Sequence, residues 1–310
     1  MRKLRLLLMM SLVLIFLSAC SLQPPEWAKP SSGDGEGDVK VGLSVSTLNN
    51  PFFVSMKEGV EQEAEAQGME VVVVDAQNDA AKQVNDVEDL IQQGVDVLLI
   101  NPTDSAAIST AVQSANSLGI PVVTLDRSAE KGEVATLVSS DNEKGGEIAG
   151  EYIVEQVGEG AKVAELEGVP GASATRERGA GFHNIADEKL DVVAKQTANF
   201  DRTEGLTTME NMLQGNPEIE AVFAHNDEMA LGAYQAIQSS GRDILVVGFD
   251  GNDDAMSSIR DGNLSATVAQ QPIEIGKLAV QAGDDVLQGK EVEDTIPVPL
   301  KLVTEENVDE

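Results

Sequence analysis

Short runs of Val, Leu and Ile alternate with helical patterns from Val39 onward. The first set of runs reads VKVGLSV, EVVVVD, VDVLLIN and IPVVTLD. Between them, Val84, Val87, Leu90 and Ile91 fall on one helical face, and so do Ile108, Ala111, Val112, Ala115 and Leu118. Strand and helix in alternation mean βαβ units, hence a parallel sheet with helices on both faces. Unbroken apolar strand cores suit strands buried on both sides. A second set follows in KVAELEG, LDVVAKQTA, IEAVFAHND and DILVVGFD, with helices expected from about Ser173, Arg202, Glu228 and Asp253. The fold class is therefore α/β, with two doubly wound parallel-sheet lobes in series. ATLVSSDN and SATVAQQP are extended and polar at their ends. They read as crossover hinge strands at Ser140-Asp141 and Gln270-Gln271-Pro272. A helix from Pro272 to Gln288 then returns to the first lobe, and PVPLKLV crosses once more. This assigns 39–140 plus 272–299 to an N-terminal lobe and 141–271 plus 300–310 to a C-terminal lobe.

The start of the chain has a different character. MRKLR is a basic segment, LLLMMSLVLIF an apolar one, and LSAC closes it at Cys20. That order resembles a bacterial lipoprotein signal, with residues 1–19 removed and Cys20 lipidated. The apolar stretch from Leu6 to Ala19 is shorter than the ~20 residues of a spanning helix. Residues 20–38, rich in Pro, Gly, Ser and acids and holding Trp27, read as a flexible acidic linker. The expected location is extracytoplasmic, with the membrane reached through the lipid anchor only.

Charge narrows the partners. Lys and Arg total 21 against 53 Asp and Glu, a net charge of -32. Loss of the leader removes Arg2, Lys3 and Arg5 and no acid, which takes the charge three units further, to -35. Phosphate backbones demand a basic face, so nucleic acid is excluded as a partner. One Cys and two His exclude a disulfide framework and argue against a zinc site, so no metal and no cofactor is expected.

Ligands of open parallel sheets bind beyond the carboxyl ends of the strands. Those ends carry Ser46, Asn50, Phe52 and Phe53; Asp126 and Arg127; Arg176 and Arg178; Phe200; Asn226; Asp250; and Gln270. Carboxylates accept, guanidiniums donate, and amides do both, which suits hydroxyls around a sugar ring. Flat aromatic rings suit its C–H faces. Two acids, Asp126 and Asp250, balance Arg127 and Arg178, which favours a small neutral ligand.

STLNNPFF, INPTDS, TLDR, SDN, RERG, FDR, NDEMALGA, VVGFDG and ATVAQ stand here in the order seen in periplasmic ribose-binding proteins of sugar ABC transporters. The resemblance covers nearly all of Val39 to Val303. It implies two α/β lobes of the type I periplasmic binding protein class closing on one monosaccharide, three crossover strands and no catalysis. Its sugar-binding positions fall on Asn50, Phe52, Phe53, Asp126, Arg127, Arg178, Phe200, Asn226, Asp250 and Gln270. Ser46, Ser140, Asp141 and Gln271 are expected as hinge or supporting groups. Implied partners are a ribose-type sugar and the transmembrane subunits of an ABC permease, with a chemoreceptor as a further candidate. Departures from the family pattern are His225, Gln271 and VPGAS before the RERG segment.

Plainer readings stand beside these. Phe52 and Phe53 could staple the following helix, and Asp126–Arg127 could be a simple ion pair. Two helical positions turn a side chain away, so only one of Arg176 and Arg178 faces the cleft; the resemblance selects Arg178. Asp227 is the expected helix cap, leaving Asn226 for the ligand. His183 and His225 read as surface or packing residues. A glycoside hydrolase would need a raised-pKa acid opposite a second carboxylate, and neither Asp126 nor Asp250 is expected to be one. A sugar-responsive repressor would begin with a helix-turn-helix rather than an export leader. A receptor that only signals, for chemotaxis or for a furanosyl signal molecule, differs from a transport protein in its gene neighbours and not in these residues.

Overall fold

The structure is a computed structural model that describes residues 39–309. The leader at 1–19, Cys20, Trp27 and the rest of the linker to residue 38 lie outside the described residues, as does Glu310.

The first lobe begins β1 (Lys40–Val45), α1 (Pro51–Gln67), β2 (Glu70–Asp75), α2 (Ala80–Gln92), β3 (Val97–Ile100), α3 (Ser109–Ser117), β4 (Val122–Leu125) and β5 (Thr136–Ser140). The second follows with α4 (Asn142–Val157), β6 (Lys162–Glu167), α5 (Ser173–Lys189), β7 (Asp191–Thr197), α6 (Arg202–Gly215) and β8 (Ala221–Ala224). It continues with α7 (Asp227–Ser240), β9 (Leu245–Asp250), α8 (Asp253–Arg260) and β10 (Ala266–Ala269). Last come α9 (Pro272–Leu287), β11 (Thr295–Val298) and β12 (Lys301–Thr304).

Two six-stranded sheets result, ordered β11-β5-β4-β3-β1-β2 and β12-β10-β9-β8-β6-β7. All pairings are parallel except β10 with β12. The chain passes from one sheet to the other after β5, after β10 and between β11 and β12. α9 returns to the first lobe, where Ile275, Ala279 and Val280 join the core with Val41, Leu43 and Val45. Each sheet is buried on both faces: Val97 and Leu99 enter one apolar cluster, Leu98 and Ile100 the opposite one. The second lobe repeats this with Val222 and Ala224 on one side and Ala221 and Phe223 on the other.

Two sequence expectations are corrected. The Val run of β2 is only half-buried, because β2 ends its sheet and lacks a neighbour on one side. Leu118 was placed on the buried face of its helix, yet it is 63% exposed. α3 ends at Ser117, so Leu118 sits at the C-cap, where the helical face no longer holds.

The order of strands reverses beside β1 in one sheet and beside β6 in the other. At such a switch point the loops leave in opposite directions and open a crevice beyond the strand ends. The residues singled out in the sequence lie there.

Candidate functional site

Asn50 links chain direction to chemistry. It ends the loop after β1 and caps α1, its Oδ1 accepting from Phe52 N at 2.9 Å, with Pro51 opening the helix. The cap leaves the amide nitrogen for the cleft, which Asn50 lines. Phe52 and Phe53 are both buried, edge to face with centroids 5.3 Å apart. They belong to the core of the first lobe and also line the cleft, so each serves packing and site together.

Asp126 leaves the end of β4 with φ +62°, a left-handed backbone unusual for a residue with a side chain. Asp250 leaves β9 with φ +120°, and Phe200 stands at φ +61°. Backbone strain of this kind persists where the surroundings over-determine it, and here it falls on three of the expected site residues. Asp126 is held by Asn101, whose Nδ2 donates to Leu125 O at 3.0 Å and reaches Asp126 Oδ2 at 3.4 Å. Ser46 donates from Oγ to Asn101 Oδ1 at 2.7 Å, so it acts on the site through Asn101. Arg127 donates from a terminal nitrogen to Pro102 O at 3.1 Å. Its guanidinium carbon lies 5.0 Å from the Phe53 ring centre and 5.1 Å from that of Phe200, the range of cation–π attraction.

The second lobe supplies Arg178 from the first turns of α5. Its Nε donates to Asn142 Oδ1 at 2.8 Å and a terminal nitrogen donates to His225 O at 2.6 Å. The guanidinium lies 3.8 Å above the Phe249 ring, 3.6 Å from Asp250 Oδ1 and 4.0 Å from Asp126 Oδ1. α4 can approach close enough to present Asn142 because of Gly146, where a Cβ would stand 2.2 Å from the carbonyl oxygen of Arg178. Arg176 is exposed, 3.6 Å from Glu130. Of the two arginines, Arg178 lines the cavity and Arg176 does not. Gln270 donates from Nε2 to Asp250 Oδ1 at 2.9 Å.

Around these groups is a narrow cavity, lined by Asn50, Phe52, Phe53, Asp126, Arg127, Arg178, Phe200, Asn226 and Asp250. Gln270 adjoins it through Asp250. Asp126 Oδ1, Arg127 Nε and Gln270 Oε1 are buried without hydrogen-bond partners within the protein. Buried polar groups are ordinarily paired; Thr103 Oγ1, Thr136 Oγ1 and His225 Nδ1, which do not line the cavity, share the condition. A wider recess of about 670 Å³ beside α3, lined by Asn116, Ile120 and Glu133 among others, brings together no comparable set of charges.

Several expectations change. Asn226, not Asp227, caps α7, its Oδ1 accepting from Met229 N at 3.0 Å. Asp227 is the first helical residue and points inward. Its carboxylate accepts from Gly251 N at 2.7 Å, Asn252 N at 2.8 Å and Thr267 Oγ1 at 2.7 Å. Asp227 is thus a third buried acid behind the cavity. Burial pushes its pKa up to about 7 against those three hydrogen bonds, and Glu228 adds to the rise. Asp250 is also pushed well up, first by burial and then by Asp227 and Asp126, with Arg178 and Gln270 opposing. The expectation that no acid here has a raised pKa is therefore overturned, because the strand ends are buried more deeply than loop positions suggest. Arg127 is lowered to about 10 by burial, with Asp126 opposing, and stays charged at neutral pH. His225 is not at the surface: it is fully buried with Nε2 2.9 Å from Glu165 Oε1, and burial holds its pKa below the usual range.

Among the hinge candidates, Ser140 is buried and its Oγ has no partner. Asp141 is exposed and caps α4 by accepting from Lys144 N at 2.9 Å. Gln271, also exposed, donates from Nε2 to Pro299 O at 3.2 Å, tying one crossing to another. Sequence reasoning reaches neither Asn101 nor Asn142, although INPTDS and SDN contain them, and it reaches Asp227 only as a helix cap. Among the described residues no group of three or more His, Cys, Asp or Glu side chains could hold a metal ion.

Known proteins match this arrangement. The family model described as a periplasmic binding protein domain matches residues 41–291. The ribose import binding protein RbsB of Bacillus subtilis is 70% identical over 296 residues, 96% of this chain and 97% of its own. RbsB of Salmonella typhimurium is 53% identical, over 85% of this chain and 90% of its own. A solved ABC transporter solute-binding protein from Mycobacterium smegmatis, with bound glycerol, superposes with a TM-score of 0.84 at 36% identity, over 88% of this chain and 96% of that one. Fold, cleft and sequence agree: the chain belongs to the periplasmic binding protein domain family, with ribose import binding proteins among its relatives.

Proposed function

We propose that the chain captures D-ribose, or a close monosaccharide, between its two lobes and delivers it to an ABC importer without chemical change. The observation that carries this reading is that Asp126 Oδ1 and Arg127 Nε, buried in a cavity flanked by Phe rings, and Gln270 Oε1 beside it lack hydrogen-bond partners within the protein. Strong acceptors and donors without a partner suit hydroxyls, and the rings suit C–H faces. The names of the 70% and 53% identical relatives support the same ligand. Closure would turn on the crossings after Ser140, at Gln270–Gln271 and between β11 and β12, with lobes bounded as 39–140 plus 272–299 and 141–271 plus 300–310. The LSAC leader supports lipidation at Cys20 and hence an extracytoplasmic protein held at a membrane. The net charge of -32 supports a surface suited to high salt.

Calorimetry with ribose, allose, xylose, galactose and a furanosyl borate tests the ligand. One-to-one binding strongest for ribose, with galactose weak because its extra hydroxymethyl group needs room, is the expected result. Tight galactose binding with no heat from ribose would overturn the ligand; preference for the furanosyl borate would favour a signal receptor.

A further inference from the structure

The VPGAS segment, Val169–Ser173, contributes nothing to the lining of the cavity. It joins β6 to α5 on the second lobe and meets two loops of the first. Ser105 N donates to Gly171 O at 2.9 Å. Ser128 N donates to Ser173 Oγ at 3.0 Å. Ser173 is buried, and α5 has no side-chain cap, so this hydroxyl serves the opposite lobe rather than its own helix.

Gly171 makes the approach possible. A Cβ there would stand 2.1 Å from Asp104 Oδ2 and 2.7 Å from Asp104 Cγ. The carboxylate cannot swing aside cheaply, because its Oδ1 accepts from Ala106 N at 2.9 Å and Ala107 N at 2.8 Å. The contact is therefore backbone against a pinned side chain, and a side chain at 171 must either break the two Asp104 hydrogen bonds or push the two segments apart. The nearby Arg176–Glu130 pair is exposed at both ends and adds little.

We propose that Val169–Ser173 is a closure latch: Gly171 and Ser173 hold the lobes together through Ser105 and Ser128, and set how long a bound solute stays, without touching it. This rests on the proposed capture of a monosaccharide. A contact present only in the closed form raises its population, and apparent affinity scales with that population. Losing it speeds release and leaves encounter with the open form unchanged.

The test is stopped-flow ribose release and calorimetry on the full chain, with Gly171→Ala, Asp104→Ala, their combination and Ser173→Ala. Gly171→Ala is expected to speed release about tenfold or more, with association within about twofold. The added Asp104→Ala should recover much of that loss, since removing Cγ and Oδ2 leaves only a 3.1 Å contact to Asp104 Cβ. Scattering at saturating ribose should show a larger radius of gyration for Gly171→Ala than for the unchanged chain. Release unchanged in Gly171→Ala, or faster release that Asp104→Ala does not rescue, overturns the latch. If Gly171→Ala lowers the melting temperature without sugar, Ser173→Ala decides: release several-fold faster supports the latch and unchanged release overturns it. An unchanged chain that binds no monosaccharide refutes the proposed function itself, whereas binding that the variants leave intact refutes only the latch.

Discussion

Replacing Arg178 with Ala should damage both the fold and the site. The side chain makes two charge-assisted hydrogen bonds, to Asn142 Oδ1 and His225 O, and both acceptors belong to buried residues. It also sits 3.6 Å from Asp250 and 4.0 Å from Asp126, each buried. Removing one partner of a buried charge cluster costs about 3–5 kcal/mol, because the remaining charge stays out of water. Asp250, already pushed up by burial, can take a proton instead, which places the expected cost near the lower end of that range. For a unit of 150–250 residues, roughly 2–4 °C per kcal/mol makes this a fall of about 6–12 °C. Ribose affinity should fall by about 1.5–3 kcal/mol, a lost hydrogen bond to a charged group. Arg176→Ala removes only an exposed pair and should cost at most about 1 kcal/mol in either property. Melts without sugar and calorimetry with it give the two numbers. A melting temperature within about 2 °C of the original, or equal losses for the two arginines, would refute the reasoning.

Asp227 carries a pH dependence: its folded pKa of about 7 lies above the ordinary 3.8, so its stabilising contribution is full below about pH 4 and is lost as pH rises towards 7. Asp227→Asn, which can keep all three hydrogen bonds if Thr267 reverses its hydroxyl, should reduce the fall that denaturant titrations would record across that window, to which the raised Asp250 also contributes; an undiminished slope would assign it to other groups. Phe200→Ala removes a half-buried ring that lies over Gly168 and faces Arg127. It should weaken ribose binding about tenfold while the sugar-free melting temperature moves by less than about 5 °C, and a collapse of that temperature would make Phe200 a core residue. Between 0.01 and 3 M KCl the melting temperature should rise, because a charge of -32 is screened over about 30 Å in dilute salt and about 3 Å in molar salt. A flat response would remove the high-salt reading.

Period and strand-end position made most of this molecule legible. The apolar runs and helical faces gave the βαβ order, and the polar ends of ATLVSSDN and SATVAQQP marked where the chain leaves one sheet for the other. Residues at strand ends were readable because parallel sheets bind there. Leu118 failed because periodicity does not mark where a helix ends. Asn226 and Asp227 were exchanged because both residue types cap helices, and only the inward Thr267 hydroxyl and the amides of Gly251 and Asn252 decide which side chain turns in. Asn101 and Asn142 went unnoticed because they act through Asp126 and Arg178, and contacts so distant in sequence have no local pattern. Burial of Asp250 and His225 likewise depends on how the lobes pack, which composition does not carry.

One neutral monosaccharide is expected in the cleft, with Asp126 and Arg127 of the first lobe and Arg178, Asp250 and Gln270 of the second around its ring edge. A crystal structure of the chain grown with D-ribose tests this most directly. The expected density is one sugar ring between Phe53 and Phe200, with hydroxyls within hydrogen-bond distance of Asp126 Oδ1, Arg127 Nε and Gln270 Oε1, the three atoms without hydrogen-bond partners within the protein. Ribose seated elsewhere, or those three atoms still unpaired beside it, would contradict the claim.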